Sequence, residues 1–270
     1  DLDMFQINHS VHNNGTFGQK SEFEGTQDSL SGDKLMRNDD GKFVDVTIES
    51  GIKSLVIGYG LGVVTGDVNQ DGYPDIYVGN DFHEDDYLYI NQGDGTFKDM
   101  RREAMMHTSR FSMGVDIADL NNDGWSEIIS LDMLPFDPNV LKRSLGEDDF
   151  KAFKFKLGYG YQHQYARNNL QYNNGNGTFS EIGMFSGVHA TDWSWSSLLL
   201  DFDHDGLKDI FISNGIPRRM NDIDFINFRT SDPDVMWETN HLDIDKNLKI
   251  IETMPRIKLN NKFYRNKGKL

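Results

Sequence analysis

Three short stretches of the chain place oxygen-bearing side chains at alternate positions around a glycine. The first is Asp67-Val68-Asn69-Gln70-Asp71-Gly72-Tyr73-Pro74-Asp75. The second is Asp119-Leu120-Asn121-Asn122-Asp123-Gly124-Trp125-Ser126-Glu127, and the third Asp201-Phe202-Asp203-His204-Asp205-Gly206-Leu207-Lys208-Asp209. This pattern suits a hard cation. Ca²⁺ takes about six to eight oxygens at about 2.3–2.6 Å. Side chains at loop positions 1, 3 and 5, a backbone carbonyl at 7 and a carboxylate at 9 can surround one ion, and Gly at position 6 permits the sharp turn. The expected ligands are Asp67, Asn69, Asp71, the Tyr73 carbonyl and Asp75; Asp119, Asn121, Asp123, the Trp125 carbonyl and Glu127; and Asp201, Asp203, Asp205, the Leu207 carbonyl and Asp209. About three Ca²⁺ ions are therefore expected.

Competing chemistries fit less well. An EF-hand requires Glu at position 12 and flanking helices. Position 12 is Val78, Ser130 and Ile212, and the segments after the loops, such as Ile76-Tyr77-Val78, are β-branched and aromatic. Zinc and other transition metals favour Cys and His clusters. The chain has no Cys, and its 8 His are scattered. Magnesium keeps its waters and demands octahedral geometry.

The elements that must position these loops also repeat. Asp67 to Asp119 is 52 residues, and Asp119 to Asp201 is 82. Before each loop comes a small, apolar segment: Gly60-Leu61-Gly62-Val63-Val64, Ser112-Met113-Gly114-Val115-Asp116 and Ser194-Trp195-Ser196-Ser197-Leu198. Each predicts a tightly packed inner strand. A hairpin signal recurs in step, as Leu35–Phe43, Leu88–Phe97 and Leu170–Phe179, with Asp-Gly or Asn-Gly pairs between apolar flanks. Four strands in roughly 50 residues predict an all-β chain of four-stranded propeller blades. Repeats are expected around 35–86, 87–167 and 168–215. Insertions of loop or helix are expected at about 133–167 and 216–261, the second with a helix starting near Asp232 and Pro233. Residues 9–34 read as a long loop, and both ends read as lying partway through a repeat, Asp3 aligning with Asp75.

Composition bounds the partners. The chain has 270 residues, 27 basic and 43 acidic, for a net charge of −16. That disfavours nucleic acid and anionic membrane surfaces. No run of about 18 apolar residues exists, so no transmembrane segment is expected. A targeting signal or lipid anchor would lie outside this sequence.

At these loops, and at Gly93–Phe97 and Gly175–Phe179, the sequence resembles the FG-GAP/VCBS repeat family, in which calcium loops sit between propeller strands as in integrin α-subunits. Asn8–His12, Asn80–Glu84 and Asp192–Ser196 resemble its bacterial branch related to cartilage acidic protein. The resemblance implies a seven-bladed propeller, of which this chain would be a fragment. It also implies an extracellular or cell-surface setting, here the outer face of a bacterial outer membrane.

Catalytic motifs are missing: no Gly-x-Ser-x-Gly elbow, no Gly-Lys-Ser/Thr phosphate loop, no His-Glu-x-x-His. Asp85-Asp86 and Glu147-Asp148-Asp149 read as solvated charge runs, and Arg101-Arg102 and Arg218-Arg219 show no acid/base neighbour in sequence. Trp193 and Trp195 alternate and read as core on one strand face. Tyr159, Tyr161 and Tyr165 form either an exposed platform or a buried insertion. Two function classes follow. One is a non-enzymatic surface module, stapled by calcium, that binds a glycan or a protein, as an adhesin or as an accessory lipoprotein of a nutrient-uptake system. The other is a polysaccharide lyase or hydrolase on the same scaffold.

Overall fold

The computed structural model describes residues 2–10, 18–144, 148–216, 218–231 and 244–268. Within them the chain is mostly β. The first sheet contains β1 (Met4–Gln6), β2 (Lys34–Asp39) and β3 (Lys42–Asp45), all antiparallel. Asp40 and Gly41 close its hairpin with φ of 52° and 88°, the pair of positive angles that an Asp-Gly turn predicts. The second sheet is a four-stranded meander of β4 (Gly60–Gly66), β5 (Asp75–Asn80), β6 (Tyr87–Asn91) and β7 (Phe97–Asp99). A single helical turn, α1 (Arg101–Ala104), and the short β8 (Thr108–Ser109) lead onward.

The third sheet repeats this plan with β9 (Val115–Ala118) and β10 (Glu127–Ser130). The chain then leaves the sheet for α2 (Pro138–Leu141), α3 (Phe150–Gly158) and β11 (Gln164–Tyr165), which pairs in parallel with β8. It returns as β12 (Asn169–Asn173) and β13 (Phe179–Glu181), followed by the turn α4 (Gly183–Ser186). The fourth sheet has β14 (Ser194–Leu200) and β15 (Asp209–Asn214), an excursion carrying α5 (Ile223–Ser231) and α6 (Ile244–Thr253), and then β16 (Lys262–Tyr264).

The sheets stack face to face, with a hydrophobic cluster in each of three gaps. Ile76 and Val78 point toward Leu35 and Val46 of the first sheet region. Tyr77, one residue out of phase, packs with Ile128 and Phe179 instead. Ile129 and Leu131 pack with Leu199, Ile210 and Ile212. Strands β5 and β10 are thus buried on both faces. This is why they read as unbroken apolar runs rather than alternating ones. β9 lies between β4 and β14. A Cβ on Gly62 would strike the Met113 carbonyl, so the glycine lets two inner strands approach closely.

Hydrogen bonding groups the strands differently from boundaries drawn at 86/87 and 167/168. Those cuts fall between the second and third strands of a sheet; the sheets themselves run from an inner strand through its acidic loop to the hairpin. Every long excursion leaves at that same junction: residues 7–33 after β1, 131–168 after β10 and 215–261 after β15, against only 81–86 after β5. In an antiparallel meander, acidic loops and hairpins share one end of the sheets, and these excursions occupy the other.

Several sequence expectations need correction at that second end. Asp85 and Asp86 are not solvated: they are 2 % and 0 % exposed. Arg101 pairs with Asp85 at 3.1 Å and Arg219 with Asp192 at 2.7 Å, so both arginines do have acidic neighbours, brought by tertiary contacts. Asp149 caps α3 through the backbone N–H groups of Lys151 and Ala152. Tyr161 is buried and Tyr159 and Tyr165 are half-buried, so no exposed aromatic platform forms. Trp193 and Trp195 part company. The first is buried and precedes β14, while the second is exposed beside a register shift between Ser194 and Ser196. The helix start expected at Asp232 and Pro233, together with Glu147, lies outside the described residues.

Candidate metal loops

The three acidic loops are near copies of one another. Position 1 accepts two backbone N–H groups. Asp67 accepts from Asp71 at 3.2 Å and Gly72 at 2.9 Å, Asp119 from Asp123 and Gly124, and Asp201 from Asp205 and Gly206. Position 5 accepts from position 7: Tyr73 to Asp71, Trp125 to Asp123 and Leu207 to Asp205. Gly72, Gly124 and Gly206 take φ of 86°, 90° and 90°, which a residue with a Cβ rarely tolerates.

Position 4 was not singled out from sequence. Gln70, Asn122 and His204 also take positive φ, of 61°, 60° and 61°. Two of their side chains tie the loops into a row. Gln70 Nε2 donates to the Gly124 carbonyl at 2.8 Å, and Asn122 Nδ2 to the Gly206 carbonyl at 2.8 Å. The Asn that ends β12 and the Asn two residues past β16 strengthen the row. Asn173 Nδ2 donates to the Val68 carbonyl and Asn266 Nδ2 to the Leu120 carbonyl. The repeat of Asn91, Asn173 and Asn266 was visible in sequence as part of the hairpin, but its reach to the neighbouring loop was not.

Position 7 contributes its side chain as a cover. The Tyr73 ring lies against Gly93 and the Trp125 ring against Gly175, where a Cβ would come within 2.8 and 3.0 Å of the ring. Its carbonyl remains the expected ligand at Tyr73, Trp125 and Leu207.

Position 9 is the buried member. Asp75, Glu127 and Asp209 are each 0 % exposed. Asp75 spends both oxygens on backbone N–H groups, from Val68 and Asn91. Glu127 Oε2 accepts from Leu120 N–H and Asp209 Oδ1 from Asn266 N–H, while Glu127 Oε1 and Asp209 Oδ2 have no hydrogen-bond partner. A buried carboxylate oxygen without a partner is costly unless something unseen satisfies it. Burial pushes the Glu127 carboxyl up to about 7, against the pull of the Leu120 N–H, and the Asp123 and Asp119 charges add to the rise. Burial raises Asp75 in the same way, with Asp71 and Asp67 contributing. A cation between positions 1, 5 and 9 would relieve all of this.

The third loop gathers its carboxylates most completely. Asp201, Asp203 and Asp205 each offer an oxygen within 4.8 Å of the others, and this acidic cluster could hold a metal ion. In the first two loops position 3 is an amide, whose nitrogen donates to position 5: Asn69 to Asp71 and Asn121 to Asp123, both at 2.8 Å. The donor set is oxygen throughout, which fits a hard cation.

A meander of four strands, with an acidic turn between its first two and a glycine-rich hairpin between its last two, defines a class of repeat protein. The family model for the FG-GAP-like repeat matches residues 67–130 and 159–212, spanning all three acidic loops. Over those residues the chain is similar to the FG-GAP-like repeat, in line with the resemblance of its loops and hairpins. No curated protein matches the chain.

Proposed function

We propose that this protein is a calcium-stapled β-propeller module of the cell surface that binds a glycan or a protein partner. The observation that carries the reading is the row of three superimposable acidic loops. Each ends on a buried carboxylate, and two of these keep an oxygen with no partner. Calcium would be held by Asp67, Asn69, Asp71 and Asp75, by Asp119, Asn121, Asp123 and Glu127, and by Asp201, Asp203, Asp205 and Asp209, with the carbonyls at position 7. Its chemistry there is charge neutralisation. Three ions would cut the formal net charge from −16 to −10.

The propeller part of the reading draws on the stacking. Inner strands β4, β9 and β14 lie side by side, as blades do around an axis. The outer face of the fourth sheet is apolar and uncovered. Leu198, Phe211 and Phe263 face one another across the three strands, with Phe202 packed on both phenylalanines. Leu198 is 49 % exposed and Phe263 52 %. Another four-stranded sheet laid there would bury them as Ile129 and Leu131 are buried one gap earlier.

The proposed metal and the family resemblance support a surface setting. Sites with dissociation constants of about 10⁻⁴–10⁻³ M fill in extracellular calcium and not in a cytosol. No helix among the described residues is long and apolar enough to cross a membrane. The alternative of a lyase or hydrolase would need a base beside a cation in an open cleft. The acid–arginine pairs at the excursion end are buried and neutralise each other, which speaks against them as such machinery.

Calcium titration by calorimetry, with melting curves in calcium, magnesium and excess chelator, tests the proposal. Three bound ions are expected, with a melting temperature that calcium restores and magnesium does not. An unchanged melt in chelator would sink it.

A further inference from the structure

The three loops differ not only at position 3 but also at the third-strand residue that overhangs it. Pairing registers align it: Tyr89 faces Ile76, Gln171 faces Ile128 and Tyr264 faces Ile210, so the next residues are Ile90, Tyr172 and Arg265. Ile90 offers the first loop no polar group. The Tyr172 hydroxyl accepts from Asn121 Nδ2 at 3.4 Å. Arg265 Nη2 sits on two carboxylates of the third loop, 2.7 Å from Asp203 Oδ2 and 3.3 Å from Asp205 Oδ2.

Resting on the calcium reading above, we infer that Arg265 is an internal cation that competes with calcium at the third loop and sets the affinity of that site. Its guanidinium already neutralises the two carboxylates that a divalent ion must use. An incoming ion therefore either breaks these ion pairs or binds beside a fixed positive charge, and both weaken binding. The extra carboxylate at Asp203, where the first two loops have Asn69 and Asn121, is offset by this arginine. The third loop is thus the richest in carboxylates and, among the described residues, the one whose carboxylates carry a built-in counter-ion; on the second loop Lys208 Nζ reaches only the Asp119 backbone carbonyl, at 3.1 Å.

The displaced side chain has room to move. Arg265 lines a cavity of about 290 Å³ between the third and fourth sheets, floored by Leu170, Val188 and Ile210. Lys208 and Lys267 share that wall. Their charges make the cavity a poorer place for the guanidinium than the aspartates. Arg265 is 59 % exposed at its side chain, so replacing it leaves the core untouched.

The test is a calcium titration of the whole chain by calorimetry in five forms: unsubstituted, Arg265→Gln, Arg265→Lys, Asp201→Asn/Asp205→Asn, and Asp201→Asn/Asp205→Asn combined with Arg265→Gln. Arg265→Gln should tighten one site by about three- to tenfold and leave the others alone, an effect that shrinks in high salt. Arg265→Lys keeps the charge and should stay near the unsubstituted affinity. In the Asp201→Asn/Asp205→Asn background the glutamine should change nothing, which assigns the gain to the third loop. Calcium binding that Arg265→Gln leaves unchanged or weakens would overturn the inference alone. No calcium heat in the unsubstituted chain would overturn the calcium reading itself.

Discussion

The two ends of the stacked sheets solve the problem of acidic charge in opposite ways. At the loop end, carboxylates lie in sequence runs of nine residues, mostly exposed, and are held by their own backbone N–H groups. At the excursion end, the acids are buried, and Glu84, Asp85, Asp132 and Asp192 are answered by basic or polar groups from other elements. Lys20 Nζ lies 2.9 Å from Glu84 and 2.5 Å from Asp85, across more than sixty residues of sequence. Asp132 accepts from the Ser109 hydroxyl and from Arg110 and Phe111 N–H. A local design leaves the carboxylates free to take an external cation. A tertiary design consumes them in joining the excursions to the sheets.

Metal removal should separate the two ends most strongly. If each loop is filled at about 10–100 times its dissociation constant, three ions contribute about 4–8 kcal/mol together. For a chain of this size that is about 10–25 °C in melting temperature, checked by calorimetric scans in chelator. Alterations at the excursion end should shift the melt equally with and without calcium.

Lys20→Met is the next largest. Burial lowers the lysine's proton affinity, but Glu84 and Asp85 outweigh it, so the ammonium is firmly charged. Without it Glu84 keeps no close cation, and Asp85 keeps Arg101. Stranding a buried charge costs about 3–5 kcal/mol, read as a lower urea midpoint at an unaltered calcium stoichiometry.

The pH response should expose the buried acids. Burial lifts Asp33 to about 7 from 3.8, against one N–H from Asn8. Its folded-state value lies above its unfolded one, so its contribution is best below about 3.8 and is lost as pH rises toward 7. Asp33→Asn keeps the acceptor for Asn8 and removes the charge. Asn168 and Asn261 already fill the matching place, each accepting the N–H of Asp132 or Asn214. The variant should melt higher at pH 8 and almost unchanged at pH 4. Equal shifts at both pH values would count against a buried ionising Asp33.

The smallest effect should come from the row between loops. Asn122→Ala removes the bond to the Gly206 carbonyl and strains a residue at φ 60°. About 1–2 kcal/mol is expected, with Asn122→Gly milder because only the bond is lost. Coupling would appear as a change in calcium affinity at the neighbouring loop.

Much of the loop end was legible in the sequence because its physics is local. Alternating Asp and Asn, glycine at position 6 and the following β-branched run specify turn and strand within nine to twelve residues. Asp40-Gly41 and Gly93–Phe97 likewise declare hairpins through the positive φ they allow. Residue types alone could not show that Gln70 and Asn122 reach the next loop, because that bond needs two sheets already stacked. Nor could they show that Asp85 and Asp86 are buried. Two adjacent aspartates look solvated until Lys20, Arg101, Tyr77 and Ser112 arrive from other elements.

The acidic turns, the hairpins and the strands between them are written into neighbouring residues, since each depends on backbone conformations and oxygen spacings set locally. Which carboxylates stay available and which are spent is settled by folding, because that depends on charges and apolar faces brought together from distant parts of the chain.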